Sequence, residues 1–192
     1  MPIAINGSGT VTGISVGGLP DGIVDADMIA AGAVTAAKKG AGSVLQILQN
    51  IKTDTASTSA ITLQDTGLSQ AITLTSASNK VLVMYSLYGS AVNGTYSMMT
   101  SLLRGSTEIF RGDAYSSAQR VTTHYWPTSG YPQALQSHTF LDTPGAGTHT
   151  YKIQYKAGYA GYSVYIGRSQ SGATSEYAGA TPSSLTLFEV AA

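Results

Sequence analysis

The sequence predicts a mainly β fold, an antiparallel jelly-roll-like sandwich preceded by an extended Gly/Ala-rich segment with one or two short helical turns. Three observations carry that reading. Residues 148–156 alternate strictly, with His149, Tyr151, Ile153 and Tyr155 on one face and Thr150, Lys152, Gln154 and Lys156 on the other, the period of a half-buried strand. Turn-forming Gly, Pro, Asn and Ser recur about every ten residues between short apolar runs, the spacing of a sandwich. Residues 1–42 contain no aromatic side chain and are rich in glycine, so this stretch has too little apolar surface to close a core of its own.

The order along the chain follows from local pattern. Within 1–42, Asp25 and Asp27 precede an apolar run and Lys38-Lys39 close the next, a charge order that suits the dipole of a short helical turn. From residue 43 onward the pattern is strand and turn: strands are expected at 44–51, 60–64, 70–74, 80–88, 96–103, 107–110, 137–142, 148–156, 162–166 and 184–190. Residues 80–88 (KVLVMYSLY) are apolar on both faces, which places them in the middle of the sandwich or at a subunit contact. Arg104-Gly105-Ser106 reads as a tight hairpin turn and Pro144-Gly145 as a reversal. The division is therefore an attachment and trimerisation segment, 1–42, and a β-sandwich, 43–192.

Composition narrows the function classes. The 192 residues include 22 glycines, 12 tyrosines and no cysteine, and only 10% are charged, with acids and bases balanced at a formal net charge of +0. Such a chain generates no field to gather phosphate backbones or anionic lipid, so nucleic-acid partners and membrane insertion are not expected. Lacking like-charge repulsion, it is also prone to associate with itself. Without cysteine there is neither a disulfide framework nor a thiolate metal site. No cofactor is expected, because neither a phosphate-binding glycine loop nor a metal-ligand spacing occurs.

Catalytic signatures are missing as well. The carboxylates are scattered through turns and strand ends, and the one close sequence pair, Asp25 and Asp27, has no aromatic platform beside it. His124, His138 and His149 are too widely spaced for a local zinc motif, and no serine lies in a nucleophile elbow. Arg111-Gly112-Asp113 spells an adhesion tripeptide, but in so glycine-rich a chain it reads first as a strand end entering a turn. The chain is expected not to be an enzyme.

Two aromatic groups stand out as binding candidates. His124, Tyr125, Trp126 and Tyr131 lie among prolines that stiffen the loop over 113–136, a way to present ring faces to a ligand with little entropy left to lose. Tyr151, Tyr155 and Tyr165 are expected to form a cross-strand stripe at a trimer interface, because tyrosine buries apolar area while its hydroxyl keeps a partner.

The stretches INGSGTVTGISVGGLPDGIVDADMIAAGAVTAAKKGAGSVLQ, DTGLSQAITLTSASNKVLVM and SSLTLFEVAA resemble small structural proteins of tailed bacteriophages, especially fibre-type and particle-surface proteins. That resemblance spans about half the chain. It implies a homotrimer in the virion, assembled in the host cytoplasm, with residues 1–42 docked on other virion proteins and a knob similar to the tumour-necrosis-factor and C1q jelly rolls. A short tail fibre or spike that binds a host surface glycan or protein is the leading expectation. A capsid decoration, cement or head-fibre protein is the alternative.

Overall fold

A computed structural model describes residues 4–5, 11–12, 29, 33–34, 38–91, 96–127, 133–170, 176 and 178–192. Strand makes up 57% of the described residues and helix almost none, so the fold is mainly β. Two compact units divide at residue 40, Met1–Gly40 and Ala41–Ala192. In the first, β1 (Ala4–Ile5) and β2 (Val11–Thr12) pair antiparallel. The helical turns expected over 25–39 fall largely outside the described residues. Among the described residues no helix is long and apolar enough to cross a membrane.

The second unit is a sandwich of two antiparallel sheets. Sheet one contains β3 (Val44–Lys52), β4 (Ala56–Thr58), β6 (Lys80–Ala91), β10 (Ala134–Asp142), β12 (Val164–Ile166) and β13 (Ser183–Val190). One edge of β6 carries β10, and the other carries β13 at residues 80–86 and then β12 at 89–91. Strands β3 and β4 continue this arrangement as the outermost row. Sheet two contains β5 (Gln64–Leu74), β7 (Met98–Arg104), β8 (Thr107–Ile109), β9 (Thr123–Tyr125) and β11 (Gly147–Ala157). Its rows run β5, β11, β7, with β8 and β9 sharing the last edge. The chain changes sheet at six of the ten connections from β3 to β13, so the two sheets are wound together in a jelly-roll-like way.

Alternation explains the core. Leu68, Ile72, Val81, Val83, Leu87, Met98, Leu102, Ile153, Leu185 and Leu187 point inward and are buried, each contributing about 1.5–3 kcal/mol on leaving water. The hairpin turn at Gly105 is present, with φ +60 at that glycine.

Several expectations are corrected. The strands predicted at 60–64 and 70–74 are one strand, β5, and 60–63 is not strand. Tyr151 and Tyr155 are not at a surface seam: both are core residues, 0% and 2% exposed, because the apolar face of β11 is the one turned into the sandwich. The Tyr151 hydroxyl donates to Asp142 Oδ2 at 2.7 Å, and Arg104 Nη1 reaches the same oxygen at 2.7 Å. Burial, and then that bond to Asp142, push the Tyr151 phenol far up. Tyr165 does not join them across a hairpin, since β12 crosses to sheet one and pairs with β4 and β6. There its ring lies on the outside, 4.2 Å beneath the Arg168 guanidinium.

The two outer faces differ in kind. On sheet one, register aligns three rungs across all rows: Leu141–Leu82–Phe188–Ile47, Thr139–Met84–Thr186–Gln49 and Ser137–Ser86–Ser184–Ile51. A shorter rung, Leu135–Tyr88, follows. None of these residues is charged. The outside of sheet two carries Asp65, Lys152, Lys156, Glu108 and His124, with Lys152 Nζ 3.0 Å from Asp65.

Candidate functional site

A groove of about 660 Å³ opens on the outside of sheet two, with Tyr96, Met99, Gln119, His124, Trp126 and Tyr159 in its walls. A second depression of about 400 Å³ shares Met99, Gln119, Gly158 and Tyr159 with it and reaches Lys156, so the two form one trough. The floor follows from pairing: Met99 on β7 and His124 on β9 are direct cross-strand partners on the outward face.

One wall is the segment between β8 and β9, folded back on itself by its own hydrogen bonds. Thr122 Oγ1 donates to Phe110 O at 2.7 Å, Arg120 Nε to Gly112 O at 2.8 Å, and Ala118 N to Tyr115 O at 2.9 Å. Thr122 N in turn donates to Thr100 O at 2.9 Å, fixing the loop to β7. Phe110 and Ser116 adopt φ of 50 and 48, a conformation rare for residues with a side chain. The opposite wall depends on Gly158, whose N–H donates to Ser97 O at 2.8 Å. A β-carbon there would run into the Ser97 side chain.

Ring faces dominate the rim. Trp126 is 55% exposed and meets His124 edge-on, centroids 6.0 Å apart. Tyr159 is 64% exposed and belongs to a cluster with Tyr96 and Tyr162, whose rings stack on one another at 3.3 Å. The hydrogen bond with Tyr162 pushes the Tyr96 phenol up. Lys156 Nζ donates to Gln119 Oε1 at 2.9 Å.

The structure thus brings His124 and Trp126 together as the sequence predicted and separates Tyr125 from them. Tyr125 is corrected to a packing residue: on a strand it must face opposite to its neighbours, and it lies partly buried against the core, where burial pushes its phenol up. Tyr131 lies outside the described residues. Met99, Gln119, Tyr96 and Tyr159 come from distant segments, and no local signal in the sequence gathers them.

Among the described residues no three His, Asp or Glu side chains are grouped to hold a metal, and the groove's lining includes no carboxylate. Its resources are flat rings for stacking, a thioether floor, and amide and imidazole groups for hydrogen bonds. No protein-family model matches the chain, and no curated protein matches it either.

Proposed function

We propose that this chain is a non-catalytic structural protein of a tailed-phage particle, a short homotrimeric tail fibre or spike that contacts the host surface through the groove on sheet two. The aromatic trough carries the reading. Exposed indole and phenol rings beside amide and imidazole donors suit the alternating apolar and hydroxylated faces of a sugar chain. A braced wall limits the entropy lost on binding. The glycine-rich segment 1–42 supplies the attachment to other virion proteins.

The test is a glycan array probed with the intact protein, followed by Trp126→Ala and Tyr159→Ala. Each substitution removes a stacking platform and is expected to weaken binding at least tenfold while leaving the fold intact. An array with no bound glycan, together with phage adsorption unchanged by Trp126→Ala, refutes host contact through this site.

A second reading, a capsid decoration, cement or head-fibre protein, is favoured by the low charge of the chain, 10% of residues. Such a surface suits close packing on a capsid lattice. Copy number in the particle separates the readings: hundreds identify decoration, and a small multiple of the tail symmetry identifies a fibre.

A further inference from the structure

We infer that the outer face of sheet one is the seam between copies of this chain. The inference deepens the trimeric reading above and depends on it, but it is carried by a different observation. A sheet whose outside meets water ordinarily places charges there, as sheet two does, whereas four successive rungs of sheet one carry none, and its charges, Lys80 paired with Val190 and Arg168 over Tyr165, stand beyond them. Ile47, Ile51, Met84, Leu135 and Leu141 on that face are between 42% and 59% exposed in the single chain.

Size and shape agree with an interface. Four rows spaced about 4.8 Å apart, each about eight residues long at about 3.3 Å per residue, cover roughly 500 Å² in projection. Eight of the fourteen rung residues within that area are apolar or aromatic and six are serine, threonine or glutamine, so the apolar part is in the range of patches that mark contact surfaces. A shallow depression of about 340 Å³ near the centre, between Met84, Thr186 and Phe188, offers a socket for a protruding side chain.

The occupant is a second copy and not a different protein. Around a threefold axis each copy turns this face toward its two neighbours, and rungs without charge meet no like-charge repulsion there, while the chain's net charge of +0 adds none at longer range. Serine and threonine hydroxyls in the middle rungs donate and accept equally well, so identical surfaces satisfy one another. Tyr165 lies on this same side of sheet one beneath the Arg168 guanidinium, so the proposed seam would take in one of the three tyrosines expected at a trimer interface. The arrangement leaves the groove on sheet two facing outward from every subunit.

The experiment is light scattering on the full chain across a hundredfold dilution. Wild type is expected at three times 19.8 kDa, and Met84→Lys and Thr139→Lys at 19.8 kDa, with Thr150→Lys on sheet two remaining trimeric. Both seam positions are exposed in the single chain, so lysine there is compatible with its fold. Because the chain has no cysteine, Thr139→Cys adds a unique thiol, expected to react with maleimide at least tenfold more slowly than Thr150→Cys. A monomeric wild type sinks the trimeric reading and this inference with it. A trimer that survives Met84→Lys and Thr139→Lys, or a Thr139→Cys thiol labelled as fast as the control, overturns the seam and leaves the trimeric reading standing.

Discussion

Glu189 is a carboxylate with no exposed surface, and its loss should be the most damaging single change outside the apolar core. It faces inward from β13, near the turn that joins β5 to β6. Oε1 accepts from Thr75 N at 2.6 Å, Thr75 Oγ1 at 2.7 Å and Asn79 Nδ2 at 2.7 Å, and Oε2 accepts from Gln46 Nε2 at 2.6 Å. Burial pushes this carboxyl up, but the bonds from Asn79, Gln46 and Thr75 outweigh it and hold the group below its ordinary 4.5. Glu189→Gln keeps the shape. It weakens three of the bonds to neutral ones, each by roughly 0.5–1.5 kcal/mol, and turns an amide NH₂ toward Gln46 in place of the fourth. Gln46 is not free to flip in response, because its Nε2 also donates to Thr73 O at 2.7 Å. After allowing for the relieved burial of charge, the expected cost is about 3 kcal/mol, or roughly 6–12 °C in melting temperature for a domain of this size.

The same geometry fixes a pH dependence. A carboxyl held low in the folded state contributes stability that is fully present above the unfolded value near 4.5 and is lost as pH falls through the lower folded value. Urea midpoints measured from neutral to acid pH should fall steeply for wild type and less steeply for Glu189→Gln, so that the two curves converge in acid. A variant within about 0.5 kcal/mol of wild type at neutral pH would refute the reasoning, as would parallel acid profiles, because either shows the four bonds to be energetically idle.

Three further outcomes are expected. Tyr151→Phe removes the hydroxyl from Asp142 and should lower the urea-derived stability by about 1–2 kcal/mol, with Arg104 still paired to the carboxylate. Burial raises the phenols of Tyr85, Tyr151 and Tyr155, so their stabilisation is complete below about pH 10 and is lost as pH rises beyond it. An alkaline absorbance titration should show a late tyrosine phase coincident with loss of circular dichroism, reduced in Tyr151→Phe. Gly158→Ala drives a β-carbon into the Ser97 side chain and should weaken ligand binding in the groove more than it lowers the melting temperature.

Most strands were legible because the solvated rows of this sandwich alternate in sequence as they do in space: 148–156 and 184–190 appear as β11 and β13 almost residue for residue. Alternation states which residues share a face, but not which way the face turns. That is why Tyr151 and Tyr155 were assigned to a seam when the apolar side of β11 closes the core. Strands β4 and β9 are three residues each and were not expected, whereas the equally short β8 and β12 were, within the stretches 107–110 and 162–166. Residues 60–64 and 70–74 were expected as separate strands, whereas β5 runs on through Gly67, φ +86, and pairs with β11 on both sides of it. His124 and Trp126 were legible as a local aromatic run, whereas Met99, Gln119 and Tyr159 reach the groove through sheet register and loop closure, which depend on the whole topology.

The double-sided apolarity of 80–88 now has a physical account on both sides. Val81, Val83, Tyr85 and Leu87 point into the sandwich and are buried, so the core alone explains half of the pattern. Leu82, Met84 and Tyr88 face outward, and there the neighbouring rows match two of them: Leu82 is flanked by Leu141 and Phe188 and Tyr88 by Leu135, while Met84 lies between Thr139 and Thr186. An isolated apolar residue on an outer face needs no explanation, because soluble proteins expose many. An apolar rung continued through every row does, since water gains nothing from the alignment and each exposed chain there forgoes the stabilisation that contact would bring. Sheet two, built on the same alternation, places lysine, aspartate and glutamate at the corresponding positions and surrounds its groove with exposed rings. That asymmetry between two sheets of one sandwich is the observation on which both the proposed seam and the proposed host contact rest.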